Sequence, residues 1–188
     1  MTEKEFVLSL SSSLESYFDI SFEVWSKDRQ SRIDILLKLK KEDVYFGVEC
    51  KIPDNKKGQE IGRYVQQAVK YSNSEFEIQK DIFQRIPIFI CPPLSYNYFL
   101  LKDETKNING VEWHKDRHDK ENTHHSINGF LSSFGIGEIR HSNINSKDRY
   151  IYFSFANKMI FATKKDYFGN IKGLHVKNYD ILLNQLGI

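Results

Sequence analysis

The stretch YFGVECKIPD, residues 45–54, reads as a hydrophobic strand that ends by presenting Glu49 and Lys51 on one face, with Cys50 between them. In the strand-like stretch before it, RIDILLKL, Asp34 lies on the face opposite Ile33 and Ile35. A separation of 15 positions, from 34 to 49, suits a hairpin that gathers all three polar side chains. Two carboxylates side by side in a partly buried site repel, at a cost of several kcal/mol, unless a cation joins them. A divalent metal resolves the conflict. Magnesium prefers hard oxygen ligands, binding through one or two carboxylates with waters and phosphate oxygens completing the shell. A phosphodiester can then be polarised, a water made nucleophilic and the leaving oxygen stabilised. A lysine at the same place supplies a mobile charge to orient water or offset charge on the phosphorane.

Elements of regular spacing must carry these groups. Phe6, Val7, Leu10, Leu14, Tyr17 and Phe18 recur at three and four, predicting an amphipathic helix over 3–18. Strands follow at period two: Ile20, Phe22 and Val24 alternate with Ser21, Glu23 and Trp25, and Ile33, Ile35, Leu37 and Leu39 form a second series. After the turn KKED, a third strand over 44–51 places Val44, Phe46, Val48 and Cys50 on one face and Tyr45, Gly47, Glu49 and Lys51 on the other. The breaker KIPDNKKGQ leads into a second helix carrying Ile61, Val65, Ala68 and Val69 up to about Ser74. IPIFIC, 86–91, stopped by Pro92 and Pro93, reads as a buried strand, expected parallel to an earlier one. Helix, three strands, helix, strand is an α/β order. In the second half, 102–126 is polar enough to be a long loop and the segment expected to be disordered. A helix ending at Gly135, antiparallel strands at 137–142, 149–156 and 158–163 with a tight turn at ANK, and a closing helix over 177–186 complete the expectation.

RID followed by VECK resembles the PD-(D/E)xK motif of the restriction endonuclease-like nuclease superfamily, and the element order is similar to that family's core. Ile33 stands where the nominal proline would be. The resemblance implies a restriction endonuclease-like α/β/α sandwich with a mixed central sheet. One domain over 1–188 is expected, with a core at about 3–92 and a C-terminal elaboration at about 93–188 made of a helix, antiparallel strands and the closing helix. It also implies that Asp34 and Glu49 hold Mg2+ (with Mn2+ as substitute), that the Cys50 backbone carbonyl is a further ligand, and that Lys51 is the catalytic lysine. QQAVKY places Gln67 and Tyr71 in the QxxxY pattern of RecB-type nucleases, where these residues position the active site and the nucleic acid strand. Their i, i+4 spacing puts both on one helix face. Several members carry an additional metal-associated glutamate on the first helix, for which Glu3 is the candidate; the competing reading is a first-turn acid favoured by the helix dipole. Glu15 lies on the flank of that face.

Bland readings compete with these. Acidic-x-Lys recurs at Asp54–Lys56 and Glu104–Lys106 in loop-like stretches, so only strand context distinguishes the 49–51 copy. Asp34, Glu49 and Lys51 would otherwise be solvated residues of a hairpin, in exposed ion pairs worth ~0–1 kcal/mol. His114, His118, His124 and His125 with Asp116 and Asp119 suggest a metal cluster or a His-Asn nuclease remnant, against a solvated or nucleic-acid-contacting loop that is favoured because no scaffold holds them. Lys38, Lys40, Lys41, Lys56, Lys57, Arg63, Lys164 and Lys165, interleaved with Tyr64 and Tyr167, could contact phosphates or simply form a solvated face.

Composition sets the bounds. The chain has 188 residues, enough for one core, since ~150 residues already bury roughly 70% of their unfolded surface. The net charge of +2 does not by itself advertise nucleic acid. Two cysteines exclude a four-cysteine zinc or iron–sulfur site and give no disulfide framework, so a reducing cytoplasm is expected. MTEKEFVLSL lacks a basic region and long apolar core, and no run approaches ~18 apolar residues, so neither secretion nor membrane spanning is expected. The expectation is a magnesium-dependent nuclease, of DNA rather than RNA and endonucleolytic, its second half serving either to read DNA or to form a homodimer. The alternative is a non-catalytic nucleic-acid-binding or interaction module retaining the fold.

Overall fold

Thr2 starts the first helix, α1 (Glu3–Leu14), through a reciprocal cap: its hydroxyl accepts from the Glu5 N–H at 3.2 Å and the Glu5 carboxylate accepts from the Thr2 N–H at 2.7 Å. The computed structural model of the chain describes residues 2–51, 58–94, 129–141, 150–164 and 172–188. The histidine-rich stretch, the expected loop at 102–126, and Lys56, Lys57, Lys165 and Tyr167 lie outside the described residues.

The apolar period expected to continue the first helix to Phe18 ends sooner, at Leu14. Phe18 opens β1 (Phe18–Trp25), where its ring packs 4.8 Å from Phe161 and 5.8 Å from Phe153, centroid to centroid. A core residue at helical spacing can thus belong to the next element. β2 (Arg32–Leu39) and β3 (Tyr45–Cys50) follow as antiparallel neighbours, then α2 (Gly58–Ser72) and a separate hairpin of β4 (Glu75–Gln79) and β5 (Ile82–Arg85). No sequence expectation covered that hairpin. β6 (Ile88–Cys91) returns parallel to β3, and β7 (Ile136–His141) lies parallel to β6 on its other side. β8 (Ile151–Phe155), β9 (Lys158–Ala162) and the short β10 (Gly173–Leu174) add antiparallel strands, and α3 (Val176–Leu186) closes the chain.

Among the described residues the architecture is mixed α/β, an eight-stranded mixed sheet ordered β1-β2-β3-β6-β7-β8-β9-β10. The tight turn at ANK is there, with Ala156 and Asn157 both left-handed (φ 48° and 61°), the conformation that matches a two-residue hairpin to strand twist. A helical turn at 129–133 ends before Gly135, whose φ of 73° glycine reaches without strain.

Helices cover both faces of the sheet. On one, Leu10 and Leu14 of α1 and Leu182 and Leu186 of α3 pack on Phe46, Phe89, Phe153 and Phe161. On the other, Tyr64, Ala68 and Tyr71 of α2 pack on Ile33, Ile88, Ile90 and Ile136. Each fully buried Leu or Phe contributes about 1.5–3 kcal/mol relative to exposure, so the two layers together clamp the central strands. Every residue of β3 is buried, which explains why its sequence is so apolar on both faces and why a carboxylate within it needs a special setting. No helix among the described residues is long and apolar enough to cross a membrane.

Candidate active site

Asp34 sits where β2 loses its pairing with β3, while its pairing with β1 continues on either side. The β1–β2 ladder pairs Phe22 with Ile35 and Val24 with Ile33, leaving Glu23, at a left-handed φ of 53°, and Asp34 between them. The β2–β3 ladder ends at Ile35–Val48, so Asp34 does not pair with Glu49 through the backbone either. One expectation is corrected here: Ile33 and Ile35 do not share a face opposite Asp34. Ile33 packs in the α2 layer and Ile35 in the α1 layer, so the alternation of β2 changes face at Asp34, opposite the left-handed Glu23.

Freed from the ladder, the Asp34 side chain takes the place of a backbone acceptor, its Oδ2 accepting from the Cys50 N–H at 2.7 Å. The other end of the same peptide unit is also held: the Tyr64 hydroxyl donates to the Glu49 carbonyl at 3.1 Å. The Glu49–Cys50 peptide is therefore gripped from β2 on one side and from α2 on the other. An extended residue sends its N–H and C=O to the same edge, so the Cys50 carbonyl faces the Asp34 side.

The Glu49 side chain is only 2% exposed, and its Oε1 lies 2.9 Å from Lys51 Nζ. Oε2 is buried with no hydrogen-bond partner. Burial above all, and then the charge of Asp34, push Glu49 up to about 8, with Lys51 opposing the rise. Burial works against the Lys51 charge, but the pull of Glu49, Glu3 and Asp34 outweighs it and holds the ammonium above its ordinary value. Glu3, from the first turn of α1, reaches Lys51 at 3.5 Å; the structure brings it to the ammonium.

An orphaned carboxylate oxygen beside a second carboxylate is a place for either a proton or a cation. The oxygens of Asp34, Glu49 and the Cys50 carbonyl are hard donors of the kind magnesium takes, so the residues fit the ion. Among the described residues no group of three or more His, Cys, Asp or Glu side chains converges on one point. A cation here would draw at most two carboxylates from the cluster and complete its shell with backbone oxygen, water or a phosphate. The thiol of Cys50 has no part in it, since burial first and Cys91 next push it well above the ordinary range.

α2 brings its own groups. Tyr71 is 7% exposed, its ring edge-on to Phe76 at 6.2 Å. Burial first, then Glu49 and Asp34, push its hydroxyl up to about 12, which places it within the field of the carboxylates. Gln67 is half-buried one turn earlier, and Arg63 is exposed. Tyr64 is the residue that sequence reasoning misplaced: read as an aromatic among surface bases, it is buried, its hydroxyl on the Glu49 carbonyl. The signal was available, since Tyr64, Ala68 and Tyr71 stand at four and three, an apolar stripe of their own.

No family model matches the chain, and neither the curated proteins nor the solved structures compared with it include a match.

Proposed function

We propose that the chain is a metal-dependent nuclease that hydrolyses phosphodiester bonds in DNA, built on the restriction endonuclease-like fold to which RID and VECK are similar. The observation that carries this reading is the buried, unpartnered Oε2 of Glu49 beside an Asp34 pinned to the next peptide, with Lys51 on the remaining oxygen. Asp34, Glu49 and the Cys50 carbonyl would hold Mg2+, or Mn2+ in its place, which when bound polarises a phosphate oxygen and acidifies a water. Lys51, steered by Glu49 and Glu3 and 31% exposed, presents its ammonium where charge on a phosphate develops. Asp34 and Tyr64 fix the Glu49–Cys50 peptide, so that donors from β2 and β3 keep one geometry. Gln67 and Tyr71 orient the site from α2, and Arg63, Lys56 and Lys57 meet the DNA backbone. The two buried, free thiols suit a reducing cytoplasm.

The test is cleavage of plasmid, linear and branched DNA with and without Mg2+, beside Lys51→Ala. Metal-dependent cutting by the wild type that Lys51→Ala loses while still binding DNA supports the proposal; RNA in the same assay separates a ribonuclease. A second reading, a non-catalytic module of the same fold, draws on the direct 2.9 Å Glu49–Lys51 pair, which by itself offsets much of the buried charge. Wild-type inertness on every substrate would favour it.

A further inference from the structure

Beside the candidate site the sheet ends on uncovered aromatic surface. β1 is the outermost strand, and its Trp25 pairs with Arg32 of β2, two residues before Asp34. Their neighbours Val24 and Ile33 pack in the α2 layer, so Trp25 and Arg32 face the other side of the sheet, the side from which α1 brings Glu3 to Lys51. Phe22, paired with Ile35 of the α1 layer, lies on that side too. Neither ring is covered: Phe22 is 48% exposed and Trp25 42%. At ~3.3 Å per residue along a strand and ~4.8 Å between strands, the backbone of Trp25 stands roughly 8 Å from that of Asp34, a short step along a DNA strand. The charge of Arg32 also reaches the Tyr71 hydroxyl, where with Lys51 it opposes the upward push of burial, Glu49 and Asp34.

The Arg32 guanidinium stands over the Trp25 ring, 5.4 Å from its centroid, and its Nη1 lies 3.5 Å from the Glu23 carboxylate. Glu23 thus balances the charge, and the pair offers a π surface rather than a free fork of phosphate donors. Such a surface suits a nucleobase, since every base has a face that stacks on an aromatic ring. A protein partner fits it less well. Two rings present at most roughly 500 Å², against the ~1,000 Å² of a stable interface, and the left-handed Glu23 interrupts the edge on which another strand would pair. In a continuous duplex both faces of each base are already stacked, so a base reaches Trp25 only where the strand is unpaired.

Resting on the nuclease reading, we infer that Trp25, braced by Arg32, stacks an unpaired base of the DNA close to the scissile phosphate, so that the substrate is single-stranded or flapped DNA rather than continuous duplex. The full chain in EDTA is titrated into three fluorescent probes: a short single strand, a flap and a blunt duplex. The wild type binds single strand and flap on the order of tenfold more tightly than duplex. Trp25→Leu removes that preference without changing the slope of log K against log salt, and Trp25→Phe restores most of it. Trp113→Phe leaves Trp25 as the one tryptophan, and its emission falls when unlabelled single strand is added but not with duplex. In cleavage of the flap, Trp25→Leu raises KM more than it lowers kcat. If the wild type cuts DNA but prefers duplex, or if Trp25→Leu keeps wild-type affinity for single strand, the stacking assignment is overturned and the nuclease reading stands. If single strand quenches Trp25 yet no DNA is cut, the nuclease reading is overturned and the stacking assignment stands. If the wild type binds no DNA, both are overturned.

Discussion

Replacing Glu49 by glutamine tests the site without any substrate. In the folded chain the carboxyl of Glu49 is pushed from 4.5 up to about 8, chiefly by burial and then by Asp34. The sign follows from proton binding. Between these two values the folded state holds a proton that the unfolded state has released, so stability is full below about pH 4.5 and falls as pH rises through about 8. At about 1.36 kcal/mol per pH unit the whole span corresponds to on the order of 5 kcal/mol, and the interval from about pH 5.5 to 8 to roughly 3 kcal/mol. Lys51, raised above its ordinary value, adds stability that is lost only at much higher pH and leaves this window flat. Glu49→Gln cannot ionise, so this slope disappears while every other titrating group is shared with the wild type. Urea denaturation of both proteins in EDTA across the window reads the difference directly, and the gap should widen in favour of the glutamine variant as pH rises. At about pH 8, Mg2+ at ~100 times its Kd should restore about 2.7 kcal/mol to the wild type and nothing to Glu49→Gln. Parallel pH profiles for the two proteins would refute the claim that Glu49 is a strained, buried carboxylate.

Other substitutions probe the supports. Tyr64→Phe removes the hydroxyl from the Glu49 and Pro92 carbonyls, so a loss of about 1–2 kcal/mol in urea melts is expected, with DNA cleavage falling more than DNA binding. In Gly47→Ala the new Cβ would meet Ile88 Cδ1 at 2.6 Å and Ile33 and Ile86 at 3.3 Å; overpacking of about 1–3 kcal/mol should appear as a lowered Tm, and wild-type stability would show that the layer yields. Phe18→Ala removes the ring that packs on Phe46, Phe153 and Phe161, and should cost about 3–5 kcal/mol in chemical denaturation with no change in Mg2+ affinity per folded molecule.

The sequence by itself determined the elements around the site. The strands over 32–39 and 45–50 and the helix after Gly58 were legible as elements, the strands as apolar runs bounded by turn residues and the helix by its stripe of period 3.6, although β3 proves buried on both faces. The ANK turn and the strands around it were legible as a short break between two apolar runs. The grouping of Asp34, Glu49 and Lys51 could be anticipated from hairpin arithmetic alone.

Only the tertiary structure decided how they meet. The left-handed Glu23 and the gap in the ladder opposite it leave no mark in an alternating pattern, so Ile33 and Ile35 seemed to share a face that they do not share. Tyr64 became a clamp on Glu49 because α2 lies over β3 and β6, a long-range packing that no local period encodes. Glu138 and Arg140 looked like ordinary alternating residues of a later strand. The place of Glu138 in one row with Glu49, two strands away, comes from parallel pairing across β6, and parallel register is set by crossovers and core packing between segments far apart in the chain.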